Sequence, residues 1–118
     1  NLRIELKGGA MTASMRGELD HHTARAMREA IDNAVELNMP SRLVLNFKNI
    51  SFMDSSGIGL ITRRFRDVYD RKGLVYIINE SEQMKKILTM SGIYRIVNRA
   101  ADIEEAYAKA HGSFVYQT

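Results

Sequence analysis

The run Phe52–Leu60, FMDSSGIGL, holds the residues with the clearest chemical potential in this chain. It places one carboxylate, two hydroxyls and two glycines between an apolar, strand-like segment and a segment of helical spacing. Such a loop could supply a catalytic serine, bind phosphate, be modified by another enzyme, or only cap a helix. The neighbouring residues and the elements that position them narrow this choice.

Capping is the simplest role for this loop. The side chains of Asp54, Ser55 and Ser56 can accept hydrogen bonds from the free N–H groups of the first helical turn. Nucleophilic catalysis needs more, because the loop lacks the glycine two residues before the serine that a nucleophile elbow requires. It would also need a general base within hydrogen-bond reach. His21 and His22 could supply one from another loop, but they are more simply explained as surface histidines at a helix start.

The two glycines of the loop do not form a recognisable phosphate cradle. Gly57 and Gly59 make a G-I-G sequence with no third glycine at the required spacing and no G-K-[ST] motif. They are better explained as positions where the helix start packs closely on the sheet, or where the backbone of a partner approaches.

Modification of Ser55 is the remaining role. A serine at an exposed helix start is accessible to a kinase, and its phosphate would be partly stabilised by the helix dipole while facing the charge of Asp54. Such a group could change binding without unfolding the domain.

Composition limits the function classes further. With 118 residues and 45% hydrophobic content, we expect a single domain over residues 1–118. No stretch approaches the roughly 18 apolar residues of a membrane span, and the start lacks a signal-peptide profile, so we expect a cytoplasmic protein with no membrane partner. The absence of cysteine excludes disulfides and thiolate zinc sites, and we expect neither a metal nor a cofactor.

Charge gives no support to nucleic-acid binding. The net charge is +3, but seventeen basic residues are dispersed among fourteen acidic ones. The densest basic run, RRFRDVYDRK, is interrupted by Asp67 and Asp70. We therefore interpret it as a solvated helix face and expect no direct nucleic-acid partner.

Hydrophobic periodicity predicts the first half of the fold. Alternating segments on either side of Gly8-Gly9 predict an antiparallel strand pair joined by a tight turn. Helical spacing follows from about His22 to Asn38. The short apolar run RLVLNF, Arg42–Phe47, predicts a central strand covered on both faces.

The second half continues the alternation. A helix follows the serine loop up to Lys72, with Gly73 predicted as its left-handed stop, and LVYII is the next buried strand. Asn79 and Glu82 resemble a capping box for a third helix, and Gly92 ends that helix.

A weak strand around Arg95–Val97 and a helix through Ile103 and Ala110 complete the order, and the tail from about residue 112 is unplaced. This alternation predicts an α/β domain with a mixed sheet, an antiparallel N-terminal strand pair and crossover helices. Two polar loops, GELDHHT (Gly17–Thr23) and MDSSG, should then meet at the carboxyl edge of the sheet.

Three segments together resemble a known family. GELDHHTA, SFMDSSGIGLI and MSGIY, in this order, are similar to the STAS-domain anti-anti-sigma factors, and the resemblance spans nearly the whole chain. It implies a STAS-like fold. It also implies a non-catalytic protein whose unphosphorylated form binds an anti-sigma factor that is a serine kinase bound to ATP or ADP, and thereby frees the sigma factor.

The same resemblance implies roles for individual residues. The kinase would phosphorylate Ser55, the first serine of the motif, and a metal-dependent serine phosphatase would restore it. Asp20 would lie beside Ser55 in the docking surface. The partner-binding residues expected on this basis are Asp20, His21, Asp54, Ser55, Ser56, Gly57 and Gly59. Two alternatives stay open: a STAS module of another signalling assembly, such as a stress-response regulator, and a nucleotide-binding protein or hydrolase that uses the Asp54–Ser56 loop.

Overall fold

Strands and helices alternate along the chain and form one five-stranded sheet. The computed structural model describes residues 1–69 and 73–107, without the side chains of residues 65, 67 and 69. The elements are β1 (Leu2–Lys7), β2 (Ala10–Leu19), α1 (Thr23–Asn38), β3 (Arg42–Met53), α2 (Ser56–Tyr69), β4 (Leu74–Ile78), α3 (Glu82–Ser91), a 3₁₀ turn (Ile93–Arg95) and β5 (Asn98–Ala100). A last helical stretch covers residues 103–107.

The strand order is β1-β2-β3-β4-β5, with β1 antiparallel to β2 and the other neighbours parallel. Gly8 and Gly9 form the hairpin turn with φ angles of 56° and 82°, which glycine adopts without steric cost. β3 is the central strand. These findings confirm the predicted α/β fold, its mixed sheet and its antiparallel first pair.

β3 is longer than the RLVLNF prediction. Pairing with β4 ends at Asn46, whereas pairing with β2 continues until Leu19 lies opposite Met53. The ends of β2 and β3 therefore extend past β4 as a two-stranded ribbon, residues 16–19 and 49–53. Exposed polar residues such as Ser51 occupy this ribbon, which is why hydrophobicity alone did not reveal it.

The sheet is covered on both faces. On one face, α1, α2 and α3 pack against apolar strand residues, among them Met11, Ala13, Leu43, Leu45, Val75 and Ile77. On the other face, the helical stretch 103–107 covers Val44, Tyr76, Ile78 and Ala100. A 2.9 Å hydrogen bond between Tyr107 Oη and Thr12 Oγ1 also ties this stretch to β2.

One arginine of the basic run on α2 is buried. Arg64 has a fully buried side chain, and its Nη2 lies 2.7 Å from Oδ1 of Asp32 on α1. The prediction of a solvated face is wrong for this residue. Buried charges occur where a partner is available, and this ion pair joins α2 to α1.

Two predicted helix boundaries need correction. Gly73 is not left-handed. A Cβ at Gly73 would lie 2.5 Å from Val68 Cγ1 and 2.8 Å from the Ser41 carbonyl oxygen, so close packing rather than a positive φ requires glycine there. Ser81 caps α3 by accepting the N–H of Met84 at 3.2 Å. The predicted capping box at residues 79 and 82 is therefore wrong.

The chain after α3 also differs from the prediction. Gly92 ends the helix in the left-handed conformation (φ 80°), as expected. It leads into the 3₁₀ turn Ile93–Arg95, whose Ile93 packs into the core, so the strand begins at Asn98 rather than Arg95. The predicted end of the second helix at Lys72, the helix position Ala110 and the tail lie outside the described residues.

Candidate functional site

The two polar loops meet at the carboxyl edge of the sheet, as parallel strand topology predicts. Leu19 and Met53 are paired at the ends of β2 and β3, and the Asp54 N–H donates to the Leu19 carbonyl oxygen at 3.3 Å. Asp20 directly follows the first of these strands and Asp54 the second. The structure therefore brings the loop that carries Asp20 and the loop that carries Ser55 together.

Asp20 organises the start of α1. Its Oδ1 accepts the backbone N–H groups of His22 at 2.9 Å and Thr23 at 3.0 Å, and also lies 3.2 Å from the Thr23 hydroxyl. The Asp20 N–H donates to Thr23 Oγ1 in return, at 3.0 Å. These bonds stabilise the carboxylate, the Thr23 N–H most strongly, and lower the pKa of Asp20.

Only one carboxylate oxygen of Asp20 takes part in these bonds. All of them end on Oδ1, so within the described residues Oδ2 is left for a group outside the chain. Asp20 is therefore both a helix cap and an ionised group presented at the surface. Thr23, which orients it, was not singled out from the sequence, although the D-x-x-T spacing at a helix start is a signal that could have revealed it.

His21 and His22 lie at the surface. Their rings meet edge to face with centroids 5.3 Å apart, and both residues are exposed. Within the described residues neither ring is hydrogen-bonded to Ser55, so the structure gives no sign of a nucleophile–base pair. His21 is placed beside Asp20 and can contribute to the same surface.

The serine loop is a tight turn held by Asp54. Its Oδ1 accepts the Ser56 N–H at 2.8 Å, and its carbonyl oxygen accepts the Gly57 N–H at 3.1 Å. The Ser55 carbonyl oxygen accepts the N–H of Ile58, also at 3.1 Å. Asp54 thus satisfies the first donors of α2, which is the capping role anticipated for this loop.

The two serines differ in accessibility. Ser55 directly precedes α2 and is exposed, and its hydroxyl makes no hydrogen bond with the rest of the described chain. Ser56 is partly buried. The turn therefore presents the hydroxyl of Ser55 to solvent on a backbone that is fixed on both sides.

The two glycines of the loop have different environments. A Cβ at Gly57 would lie 2.4 Å from Met53 Sδ and 3.2 Å from Leu19 Cδ2, so the helix start packs directly on the sheet there. A Cβ at Gly59 would meet nothing within 4 Å, and this residue is exposed. Packing within the described chain thus explains why residue 57 is glycine, but it does not explain the glycine at position 59.

An exposed aromatic residue lies near the serine loop and was not selected from the sequence as a site residue. Phe52 is 41% exposed and is paired in register with Glu18 on the ribbon formed by β2 and β3. Its neighbour Met53 is buried. Strand alternation next to a buried methionine is the signal that could have marked Phe52 as a surface residue.

A separate polar cluster surrounds Tyr94 of the MSGIY segment. The Tyr94 hydroxyl donates to Oε2 of the buried Glu80 at 2.7 Å, and the Arg99 guanidinium lies 4.3 Å from the Tyr94 ring centroid. Arg99 Nε is also 3.6 Å from the same Glu80 oxygen. Burial, followed by the bond to Glu80, raises the pKa of Tyr94 above its ordinary range. This cluster joins the segment that follows β4, the 3₁₀ turn and β5, next to an open cleft of about 490 Å³.

The described residues contain neither a candidate metal site nor a candidate membrane-spanning helix. Residues 1–69 and 73–107 contain no group of three or more His, Cys, Asp or Glu side chains that could hold a metal ion. Among the helices in this part of the chain, none is long and apolar enough to cross a membrane.

The fold and the paired loops correspond to a known class of domain. The protein is an α/β domain with one five-stranded sheet. Its first strand pair is antiparallel, and the serine loop lies at the carboxyl edge of the sheet. The model of the STAS domain family matches residues 1–106. The chain therefore belongs to the STAS domain family.

Relatives within this family are regulatory proteins by name. The anti-sigma F factor antagonist of Paenibacillus polymyxa is 34% identical over 99 residues, which cover 82% of this chain and 85% of that protein. The solved structure of the anti-sigma factor antagonist SpoIIAA in its unphosphorylated form superposes with a TM-score of 0.81 at 30% identity, covering 95% of this chain and 97% of the other. The phosphorylated form of Bacillus SpoIIAA superposes with a TM-score of 0.71 at 31% identity, covering 92% and 98%.

Proposed function

We propose that this protein is an anti-sigma factor antagonist controlled by phosphorylation of Ser55. In its unphosphorylated form it binds an anti-sigma factor, which is also a serine kinase bound to ATP or ADP, and so releases the sigma factor for transcription. Phosphorylation ends the binding and a serine phosphatase restores it. The protein is a ligand and a substrate rather than a catalyst, and it acts in the cytoplasm.

The observation that carries this proposal is the exposed hydroxyl of Ser55, which makes no hydrogen bond within the described chain, on a loop that meets the end of the strand preceding Asp20. A kinase needs a reachable hydroxyl at a defined position, and the turn built on Asp54 provides one. Relatives named as anti-sigma factor antagonists, one of them with a solved phosphorylated form, support the assignment of partner and modification.

Ser55 rather than Ser56 is the proposed site of modification. Successive residues at a helix start point about 100° apart, so one kinase active site cannot receive both hydroxyls equally. Ser55 is exposed and Ser56 is partly buried. Phosphopeptide mapping after reaction with the kinase should place the phosphate on Ser55, and a phosphate mainly on Ser56 would contradict this assignment.

The charge of the phosphate explains the switch. A phosphoserine carries about −1.5 to −2 charge near neutral pH. At Ser55 it would add to the negative charges of Asp20 and Asp54 on the docking surface. An interface that accepts two carboxylates would then have to desolvate a third anionic group, which weakens binding without changing the core.

A charge-matched pair of variants tests the proposed function. Ser55→Asp and Asn33→Asp each add one negative charge, but the exposed Asn33 lies ten residues into α1, about 15 Å from its start. Titration calorimetry with a purified anti-sigma F factor should show at least tenfold weaker binding for Ser55→Asp and near wild-type binding for Asn33→Asp. Both should melt within a few degrees of wild type. Unchanged binding of Ser55→Asp would refute the proposal.

A further inference from the structure

β1 is an open edge of the sheet. It lies first in the strand order, and within the described residues it pairs with β2 alone. The Asn1 carbonyl oxygen accepts the N–H of Arg16, and facing residues in an antiparallel ladder alternate between bonded and non-bonded pairs. The backbone N–H and C=O groups of Leu2, Ile4 and Leu6 therefore point away from β2, towards the free edge.

The side chains of β1 alternate between the two faces of the sheet. Leu2 and Ile4 are partly buried and pack against the core on the face that α1 covers, and Leu6 on the same face is 54% exposed. Arg3 and Glu5 are exposed on the opposite face, with Arg3 Nε 3.7 Å from Glu5 Oε1. Charged side chains usually protect an edge strand from pairing with another chain. They do so only against a strand that places a like charge opposite them.

One register of two antiparallel copies of β1 brings opposite charges together. With Ile4 opposite Ile4 of the second copy, Arg3 faces Glu5 and Leu2 faces Leu6. Each pair formed by residues 2, 4 and 6 can then exchange two hydrogen bonds, because the groups that are free at the edge face one another. A shift by two residues would place Arg3 opposite Arg3, or Glu5 opposite Glu5, and like charges directly opposite are destabilising. The sequence of β1 is therefore complementary to itself in a single register.

We propose that β1 pairs in this register with β1 of a second copy of this chain, so that the two sheets become one continuous sheet across a twofold axis. The exposed Leu6 of each copy then packs on Leu2 of the other. β2 separates this interface from β3, which leads into the Ser55 loop. The dimer contact therefore does not include the Ser55 loop, and this inference does not depend on the proposed function.

The short strand sets the expected affinity. β1 has 6 residues, and pairing over this length buries less than the roughly 800 Å² per partner of a stable interface, so we expect a dissociation constant of about 10–100 µM. Sedimentation equilibrium of the full chain between about 1 µM and 1 mM should show a monomer–dimer equilibrium in this range. Over the same concentrations, amide hydrogen exchange should slow at Leu2, Ile4 and Leu6.

Charge reversal at the two facing positions tests the register. Arg3→Glu and Glu5→Arg should each weaken association at least tenfold, because each places like charges opposite one another twice across the axis. The double variant Arg3→Glu/Glu5→Arg restores opposite charges and should associate within about threefold of wild type. Their neighbours on β2 are the uncharged Ser14 and Thr12, so all three variants should keep the melting temperature of wild type within a few degrees. The control Lys86→Glu makes the same charge change as Arg3→Glu at an exposed position on α3, and it should associate like wild type.

The possible results separate cleanly. A wild-type chain that stays monomeric up to about 1 mM would overturn the proposal. Association that the single variants leave unchanged would also overturn it, since the dimer would then use another surface. A double variant as weak as the single variants would show that the Arg3–Glu5 register is wrong. None of these results affects the anti-sigma binding measured with Ser55→Asp.

Discussion

Alanine at Gly57 and alanine at Gly59 should have opposite effects on stability, although the two glycines are only two residues apart. A methyl group at Gly57 would lie 2.4 Å from Sδ and 2.5 Å from Cγ of Met53, and 3.2 Å from Leu19 Cδ2. Met53 and Leu19 are almost fully buried, so neither side chain can move into open space. At Gly59 the same methyl group meets nothing.

The expected magnitudes follow from these contacts. Overpacking a buried contact costs about 1–3 kcal/mol, and replacing glycine by alanine in a compatible helical conformation recovers about 0.4–1 kcal/mol. Gly57→Ala should therefore lose about 1–2 kcal/mol, and Gly59→Ala should gain up to about 1 kcal/mol. For a domain of this size, about 1 kcal/mol shifts the melting temperature by roughly 3–6 °C.

Urea unfolding and thermal melting of the two variants measure the difference directly. The m-value should stay constant, because neither change alters the surface exposed on unfolding. Since Met53 precedes Asp54, Gly57→Ala should also slow phosphorylation of Ser55 by displacing its turn. Equal stabilities of the two alanine variants would refute the packing argument, whatever their binding properties.

Three further substitutions test individual contacts. Asp20→Asn keeps an oxygen for the N–H groups of α1 but removes the charge, so its melting temperature should stay near that of wild type while anti-sigma binding falls at least tenfold. Wild-type affinity would leave Asp20 a helix cap only. Asp32→Ala removes a charged partner of the buried Arg64 and should lower the free energy of unfolding in urea by about 3 kcal/mol. Arg64→Met should lower it less, because it removes the buried charge itself. A larger loss for Arg64→Met would contradict this reasoning. Tyr94→Phe tests the bond to Glu80. Because burial and that bond raise the pKa of Tyr94, its contribution to stability is complete below the ordinary tyrosine value of 10.0 and is lost as pH rises above it. Wild type should therefore lose stability above pH 10 more steeply than Tyr94→Phe by circular dichroism, and parallel curves would refute the linkage.

Elements with strong periodicity could be predicted from the sequence. Helical spacing marks one side of α1 as apolar, at Ala24, Met27, Ile31, Ala34 and Val35. Four of these residues are buried, and Ala34 is partly buried against the core. The meeting of the two polar loops also followed from sequence order, because parallel strands bring their carboxyl ends to one edge. Local pattern and topology were therefore sufficient to predict the edge of the sheet at which the two polar loops meet.

Features that depend on contacts between distant segments could not be predicted in this way. Arg64 lies in a run of charges that looks solvated, and only its packing against α1 places it beside Asp32. Gly73 was expected to supply a positive φ, but its role comes from close packing on Val68 and on Ser41, and the second of these lies far away in the sequence.

Asn79 and Ser81 are both plausible caps. The Asn79 amide donates to Asn46 Oδ1 on β3 at 3.0 Å, and Ser81 accepts the N–H of Met84 in α3.

The antiparallel direction of β1 has a practical consequence for attaching probes or surfaces to this protein. The Asn1 carbonyl oxygen accepts the N–H of Arg16 at 2.8 Å, so Asn1 lies towards the same end of the sheet as the Ser55 loop. The Gly8–Gly9 turn lies at the other end of β2. This strand has 10 residues, so the turn is about 30 Å from the end of β2 that adjoins the Ser55 loop. A fluorophore or sensor-chip linker inserted at that turn leaves the Ser55 loop facing solution, whereas one attached at Asn1 projects beside the surface to be measured.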